Sequence, residues 1–203
     1  HNEGKVKELG NQNMTHQNIQ VIIDMIDFYK INNYEGSIFF NGMAGNSQDH
    51  FHYHHIKEEL PIKKYLELES NLTIEKYTSK NNTDIVLFSN KESNCLNGIV
   101  FSGENLAKTI FSFLKGISSE FQYNIIIYHS NNQTKVVVFV RKMPKNGRIL
   151  YNISASILAG VFNRVKMPMD QLKSGKLEQT IEKLCQQTVK KLDKKMLLKL
   201  NLI

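Results

Sequence analysis

The sequence predicts an α+β fold in which helices pack on an antiparallel sheet. Several β-rich runs follow one another in the second half, and polar residues typical of a hairpin turn, Ser130–Gln133, join the last two. Apolar residues at helical spacing occur before, between and after these runs. Strands and helices in such an irregular order are typical of α+β proteins. With 203 residues we expect a first part over 1–64 and a second over 65–203, packed together or forming one continuous domain.

The first part contains the patterns of a helix, two strands and a loop between the strands. A helix is expected to begin near Thr15, because isoleucines between 19 and 26 then lie on or near one face. Residues 37–40 form a short apolar run that predicts a buried strand. The glycines, asparagine and serine in 41–49 predict a loop, and the alternation of aromatic and histidine residues in 50–56 predicts a second strand.

The second part is expected to supply most of the sheet. Four β-rich runs predict strands there: Ile85–Phe88, Gly98–Phe101, Tyr123–Tyr128 and Lys135–Val140. Helical spacing is present in Glu104–Lys115, and 149–162 is small and apolar. Residues 172–200 are amphipathic and predict a long helical stretch, with a possible break near Leu192.

Composition restricts the classes of protein and partner. No apolar run approaches the roughly 18 residues of a membrane span, and the start lacks a signal-peptide pattern, so we expect a cytoplasmic protein without a membrane partner. The two cysteines, Cys95 and Cys185, lie far apart without a Cys-x-x-Cys spacing, so we expect no disulfide framework and a reducing compartment. The net charge of +7 suits phosphate-bearing partners. Most of the excess lies in lysines of 190–199, which we expect to form a solvated helix face.

Histidines are concentrated in one short segment, because four of the seven fall within 50–55. Successive side chains of a strand point to opposite faces, so His50, His52 and His54 are expected to share a face, roughly 6–7 Å apart. Three histidines arranged in this way suit either zinc binding or catalysis. The loop before the strand favours catalysis, because the small residues Gly45, Asn46 and Ser47 let the backbone approach a phosphate and offer it donors.

The complete pattern Gly-x-Ser-x-x-His-x-His-x-His, from Gly45 to His54, resembles the signature of the histidine-triad superfamily. It is also similar to the galactose-1-phosphate uridylyltransferase and dinucleoside tetraphosphate phosphorylase branch, where Gly-x-Ser-Gln precedes the histidines. Weaker similarity to the GDP-hexose phosphorylase group covers residues 26–42. It extends to 138–142, where Val140 stands in place of a proline, and to 154–162. The resemblance implies a histidine-triad-like antiparallel sheet flanked by helices.

The resemblance also implies an activity and a set of site residues. His52 would be the nucleophile that forms a nucleotidyl-histidine intermediate, His50 would orient it, and His54 would contact the phosphate or the leaving group. Residues expected to contact substrate are Asn41, Gly45, Asn46, Ser47, Gln48, Arg141 and Lys142. No cofactor and no catalytic metal are expected. The substrate would be a nucleoside diphosphate sugar or a dinucleoside polyphosphate, with inorganic phosphate or a sugar phosphate as a possible acceptor.

One residue departs from the transferase pattern. Transferases and phosphorylases of this superfamily usually carry Gln at the third position, whereas hydrolases usually carry His, and this chain has His54. A histidine can protonate a leaving group, which a glutamine cannot. The longer flanking similarity favours a transferase or phosphorylase, with a nucleotide hydrolase as the alternative. A non-catalytic nucleotide- or RNA-binding module is a third hypothesis, favoured by the basic tail.

The resembling families have strands ahead of the helix that is expected near Thr15. Here the preceding residues lack strand periodicity, so we expect an upstream segment to be missing. An uncovered strand edge invites association. A homodimer, or a companion N-terminal fragment, is therefore the expected way of covering the edge of the sheet.

Overall fold

The computed structural model describes residues 2–5, 16–32, 34–42, 52–70, 72–91, 96–117, 121–142, 155–159 and 189–203. The strands are β1 (Asn2–Lys5), β2 (Ser37–Asn41), β3 (His52–Ile56), β4 (Leu72–Thr78), β5 (Thr83–Asn90), β6 (Asn97–Gly103), β7 (Phe121–Ser130) and β8 (Gln133–Lys142). The helices are α1 (His16–Asn32), α2 (Pro61–Glu67), α3 (Leu106–Ile117), α4 (Ala155–Leu158) and α5 (Lys194–Lys199). The helices and strands predicted within the described residues up to 142 are confirmed.

One antiparallel sheet holds all eight of these strands, in the order β1-β3-β2-β7-β8-β6-β5-β4. The predicted α+β class with an antiparallel sheet is therefore confirmed. Strand β2 pairs with β7, from Ser37 opposite Tyr128 to Asn41 opposite Asn124. Strands from both sides of residue 64 thus share the sheet, and a division of the chain at that point stays a prediction.

Each face of the sheet carries its own apolar core. Ile125 and Ile127 of β7 are buried in the core that includes α1, α3 and α5; we call this side the helical face. Ile126 and Tyr128 of the same strand are buried in the second core, with residues of α2 and α4; we call this side the site face. Burial on both sides explains why the sequence of β7 is almost continuously apolar.

The hairpin between β7 and β8 is the one that the sequence predicts. Asn131 and Asn132 both have positive φ, at 52° and 58°, between Ser130 and Gln133, which face each other across the turn. Two consecutive residues of positive φ define the turn that best matches the twist of a hairpin. Asparagine tolerates this conformation better than most residues, which explains the Asn-Asn pair.

Within the described tail, residues 189–203, the helix covers only Lys194–Lys199. Val189 forms an isolated bridge to Arg141, and the Lys190 amide donates to the Val140 carbonyl at 2.8 Å. The backbone of Val189 and Lys190 is thus bonded to β8, and residues 189–193 are not helical. Helix α5 begins after Asp193, whose side chain accepts from the Met196 amide. A continuous helix over 172–200 is therefore wrong at 189–193, the break near Leu192 is confirmed, and 160–188 lie outside the described residues.

The segment before α1 also differs from the expectation. Residues 2–5 form β1, which pairs antiparallel with β3 from Asn2 opposite His55 to Lys5 opposite His52. Pairing through the backbone needs no apolar alternation, which explains why this polar segment gives no strand signal. The edge of β3 is covered by the chain itself. An upstream fragment or a homodimer is not needed for that purpose, and each stays a prediction. None of the helices in the described residues is both long and apolar enough to cross a membrane.

Candidate functional site

Two histidines of the predicted triad meet at the start of β3, on the site face. His52 is 3% exposed and His54 is partly buried. Their Nε2 atoms lie 3.1 Å apart, and the two rings are nearly perpendicular. A neutral imidazole has one donor and one acceptor nitrogen, so the contact needs a proton on one of the two Nε2 atoms and a lone pair on the other. His50, and the loop residues Gly45, Asn46, Ser47 and Gln48, lie outside the described residues.

The other side of β3 fixes the orientation of these histidines. Tyr53 lies opposite Phe40 in the neighbouring strand, and their rings pack with centroids 5.9 Å apart in the core of the helical face. His55 also points to the helical face and packs on Tyr34 at 5.3 Å. Burial, and then the charge of Lys57, lower the pKa of His55 below its usual value. The predicted alternation is confirmed for 52–55, and it removes His55 from the site.

A row of buried polar side chains continues from the histidines across the sheet. The β2–β3 register, carried one residue past Phe40, brings Asn41 opposite His52. Asn41 Oδ1 accepts from Asn124 Nδ2 at 2.7 Å, and Asn124 Oδ1 accepts from Arg141 Nη1 at 2.8 Å. All three residues are at least 94% buried. The row crosses β3, β2, β7 and β8, a width of about 14 Å at the usual strand spacing.

Helix α4 is hydrogen-bonded to this row on the site face. The Ala155 amide, in the first turn of α4, donates to Asn41 Oδ1 at 2.7 Å. The oxygen of Asn41 thus accepts one bond from β7 and one from α4, which holds β2 and α4 together where β2 ends. Asn41, Arg141 and the start of the 154–162 segment are all singled out by the sequence analysis, and the structure brings them into one network.

Arg141 places a positive charge inside the protein at this end of the sheet. Its side chain is only 1% exposed, although a guanidinium remains charged in proteins. Burial of a charge is costly unless hydrogen bonds and opposite charge compensate for it. A polar row that ends in a fixed cation suits a ligand that carries negative charge, such as a phosphate ester.

Lys142, which was also expected to contact substrate, does not belong to this row. Lys142 follows Arg141 in β8, so its side chain points to the helical face, where it lies opposite Phe121 and is exposed. Asn124 is a site residue that the sequence analysis missed. The signal was present, because an asparagine stands within the apolar run 123–128, and a buried amide requires partners.

Within the described part of the chain, no three His, Cys, Asp or Glu side chains form a group able to hold a metal ion. His50 is not among those residues, so the absence of a catalytic metal stays a prediction.

A histidine pair can perform two steps of phosphoryl chemistry. One neutral imidazole with a lone pair can attack phosphorus, and a neighbouring imidazolium can protonate the leaving group and so return to the neutral form.

Comparison with known proteins gives little further guidance. No protein-family model matches the chain, and no curated protein matches it. Among solved structures, a DUF4931 family protein from Bacillus cereus ATCC 10987 is similar with a TM-score of 0.44 and 17% sequence identity, over 75% of this chain and 83% of that chain. A likeness at this level assigns neither a family nor an activity.

Proposed function

We propose that the chain is a nucleotidyltransferase or phosphorylase of the histidine-triad type, acting through a nucleotidyl intermediate on His52. The observation that carries the proposal is the 3.1 Å contact between Nε2 of His52 and Nε2 of His54 on a buried strand face. In this proposal one imidazole of the pair is the nucleophile, and the other carries the proton that the leaving group takes. The resemblance of 45–54 to the histidine-triad signature supplies the substrate class, a nucleoside diphosphate sugar or a dinucleoside polyphosphate.

In the first step, the Nε2 lone pair of His52 attacks the α-phosphorus of the nucleotide. A nitrogen–phosphorus bond forms, and the bond from phosphorus to the leaving oxygen breaks. The leaving oxygen takes a proton from His54 or leaves as a phosphate anion. In the second step, an acceptor oxygen of inorganic phosphate or a sugar phosphate attacks the same phosphorus, and His52 is released with its lone pair restored.

The rest of the site has supporting roles in this scheme. By the family resemblance, His50 orients His52, and Gly45, Asn46, Ser47 and Gln48 contact the phosphate oxygens. Asn41 is 94% buried with its Oδ1 engaged twice, so a positioning role for the start of β3 suits it better than direct contact with substrate. Arg141 contributes a buried positive charge at the far end of the row, which favours an anionic substrate without contacting it. Lys142 lies on the helical face and has no role in this scheme.

A nucleotide hydrolase is the second candidate function. It is favoured by the imidazole of His54 next to His52, where glutamine is usual in the transferases of this superfamily. In the hydrolase, water replaces the phosphate acceptor in the second step and gives its proton to neutral His54, and the first step is unchanged. The two functions therefore differ only in the acceptor that reaches the intermediate.

The direct test is turnover of a panel of nucleotide sugars and dinucleoside polyphosphates, with inorganic phosphate, with a sugar phosphate, and with neither acceptor. The variant His52→Ala should lose at least about 100-fold in rate. His129→Ala is the matched control, because this residue lies partly exposed near the end of β7 and outside the row. It should retain nearly the full rate. Circular dichroism of both variants should match the wild type.

The products separate the two reaction classes. Release of a nucleoside diphosphate that requires phosphate supports the phosphorylase, and a nucleoside monophosphate made without phosphate supports the hydrolase. If no nucleotide in the panel is turned over, or if His52→Ala keeps more than roughly a tenth of the rate, the proposed chemistry is wrong. A protein that binds nucleotide without turnover would be the non-catalytic module.

A further inference from the structure

A second cleft lies on the helical face, at the same end of the sheet as Arg141. It has a volume of about 230 Å³ and lies between the end of α3, the start of β7 and the tail that carries α5. The tail is firmly attached there, because Leu197 is fully buried and the Leu202 carbonyl accepts from the Lys80 amide. A Cβ at Gly116 of α3 would lie 2.5 Å from Leu200 Cδ2, so glycine allows α5 to approach closely.

The rim of this cleft is strongly basic. Its cationic side chains are Lys190, Lys191, Lys195 and Lys199, all exposed. The first three make no ion pair with any residue that the structure describes. Among the described residues that line the cleft, Asp193 is the one acidic residue, and its carboxylate already accepts from the Met196 amide as the N-cap of α5. The excess positive charge is therefore available to an anionic ligand.

The floor of the cleft is apolar and includes an aromatic ring. Ile117, Met196 and Leu200 contribute aliphatic surface, and Phe121 at the start of β7 is partly exposed. Small inorganic anions gain nothing from such a floor, because they have no apolar surface to bury. A ligand that combines regularly spaced phosphates with flat rings matches both the lysine rim and the phenylalanine. Single-stranded nucleic acid has this chemistry, since its backbone tracks basic grooves and its bases stack on aromatic side chains.

We propose that this basic cleft binds single-stranded nucleic acid. The tail that forms the cleft is attached to β8, the strand that carries Arg141. Val189 bridges Arg141, and the Lys190 amide bonds to the Val140 carbonyl, so the lysine rim begins beside the strand whose opposite face carries the Arg141 side chain. The cleft and the histidine pair open on opposite faces. Binding in the cleft therefore does not require His52 to be catalytic, and the inference does not rest on the proposed function.

Fluorescence anisotropy with labelled homopolymer oligonucleotides of deoxythymidine or uridine, roughly 4–16 nucleotides long, tests the proposal. We expect binding that weakens steeply between roughly 50 and 200 mM salt. The triple variant Lys190→Gln, Lys191→Gln, Lys195→Gln should reduce the salt slope by about 2 and weaken binding at least about tenfold at low salt. The matched control is Lys30→Gln, Lys64→Gln, Lys108→Gln, which removes the same charge from exposed positions away from the cleft. It should change affinity less than about threefold.

A second variant tests the role of stacking. Phe121→Leu keeps an apolar side chain but removes the ring, and it should weaken oligonucleotide binding at least about fivefold. Its binding of inorganic polyphosphate should not change. The proposal is overturned if the control triple variant loses as much affinity as the cleft triple variant. It is also overturned if polyphosphate displaces the oligonucleotide at equal phosphate concentration, which would assign the cleft to bare anions. Binding of vesicles with anionic lipids, without binding of oligonucleotides, would assign it to a membrane surface instead.

Discussion

Asn124 links the two ends of the buried polar row, and its removal should destabilise the protein measurably. In Asn124→Leu, Arg141 Nη1 loses an acceptor and Asn41 Oδ1 loses one of its two donors, both in a fully buried position. A hydrogen bond to a charged group contributes about 1.5–3 kcal/mol and a neutral one about 1 kcal/mol. The expected loss in the free energy of unfolding is therefore about 3 kcal/mol.

This loss is large enough to measure by urea denaturation and by thermal unfolding. For a chain of this size, about 3 kcal/mol corresponds to a fall in Tm of about 6–12 °C. Asn32→Leu is the matched control, because it removes an exposed bond from Asn32 Nδ2 to the Phe28 carbonyl. The control should change stability by no more than about 0.5 kcal/mol.

A double-mutant cycle separates the network from general packing. Removing both partners of a buried hydrogen bond costs less than leaving one partner unsatisfied. Arg141→Met should therefore be less destabilising in the Asn124→Leu background than in the wild type, by more than about 1 kcal/mol. Additive effects of the two substitutions, or a loss below about 1 kcal/mol for Asn124→Leu alone, would refute the coupling described for this row.

Two further predictions concern pH and the tail. Because the pKa of His55 is lowered on folding, the unfolded chain binds more protons, so stability should fall as pH drops below about 6.5. Below a pH of about 6.5, the urea concentration at the midpoint of unfolding should depend less on pH in His55→Asn than in the wild type. An equal dependence in the two proteins would contradict the prediction. Asp193→Ala should cost about 1 kcal/mol in chemical denaturation through loss of the N-cap of α5, whereas Asp193→Asn should cost little. Equal losses in the two variants would show that the cap is not the cause.

The fold could be predicted largely because its signals are local. The alternation of residues 52–55 assigns His52 and His54 to one face and Tyr53 to the other, and the structure has this arrangement. The Asn131–Asn132 turn is equally local, because asparagine is one of the few residues that accept positive φ. In both cases a few neighbouring residues determine the local geometry.

The remaining features depend on partners that are distant in sequence. Strand β1 forms because β3 offers free backbone groups, which the polar composition of residues 2–5 does not reveal. Val189 and Lys190 are not helical, because their backbone bonds to the end of β8. Asn124 joins the polar row because β7 lies between β2 and β8, which supply its partners Asn41 and Arg141. Arg141 was predicted to contact substrate, but its bond to Asn124 and its full burial depend on the same strand order.

During turnover, His52 is expected to carry the nucleotide. This is tested by the intact mass of the protein after incubation with a nucleotide that it turns over, in the absence of acceptor, followed by peptide mapping. We expect an increase equal to one nucleotidyl group, attached to His52, lost in acid and absent from His52→Ala. An adduct that persists in His52→Ala, or turnover by the wild type without any adduct at His52 under rapid quenching, would contradict it.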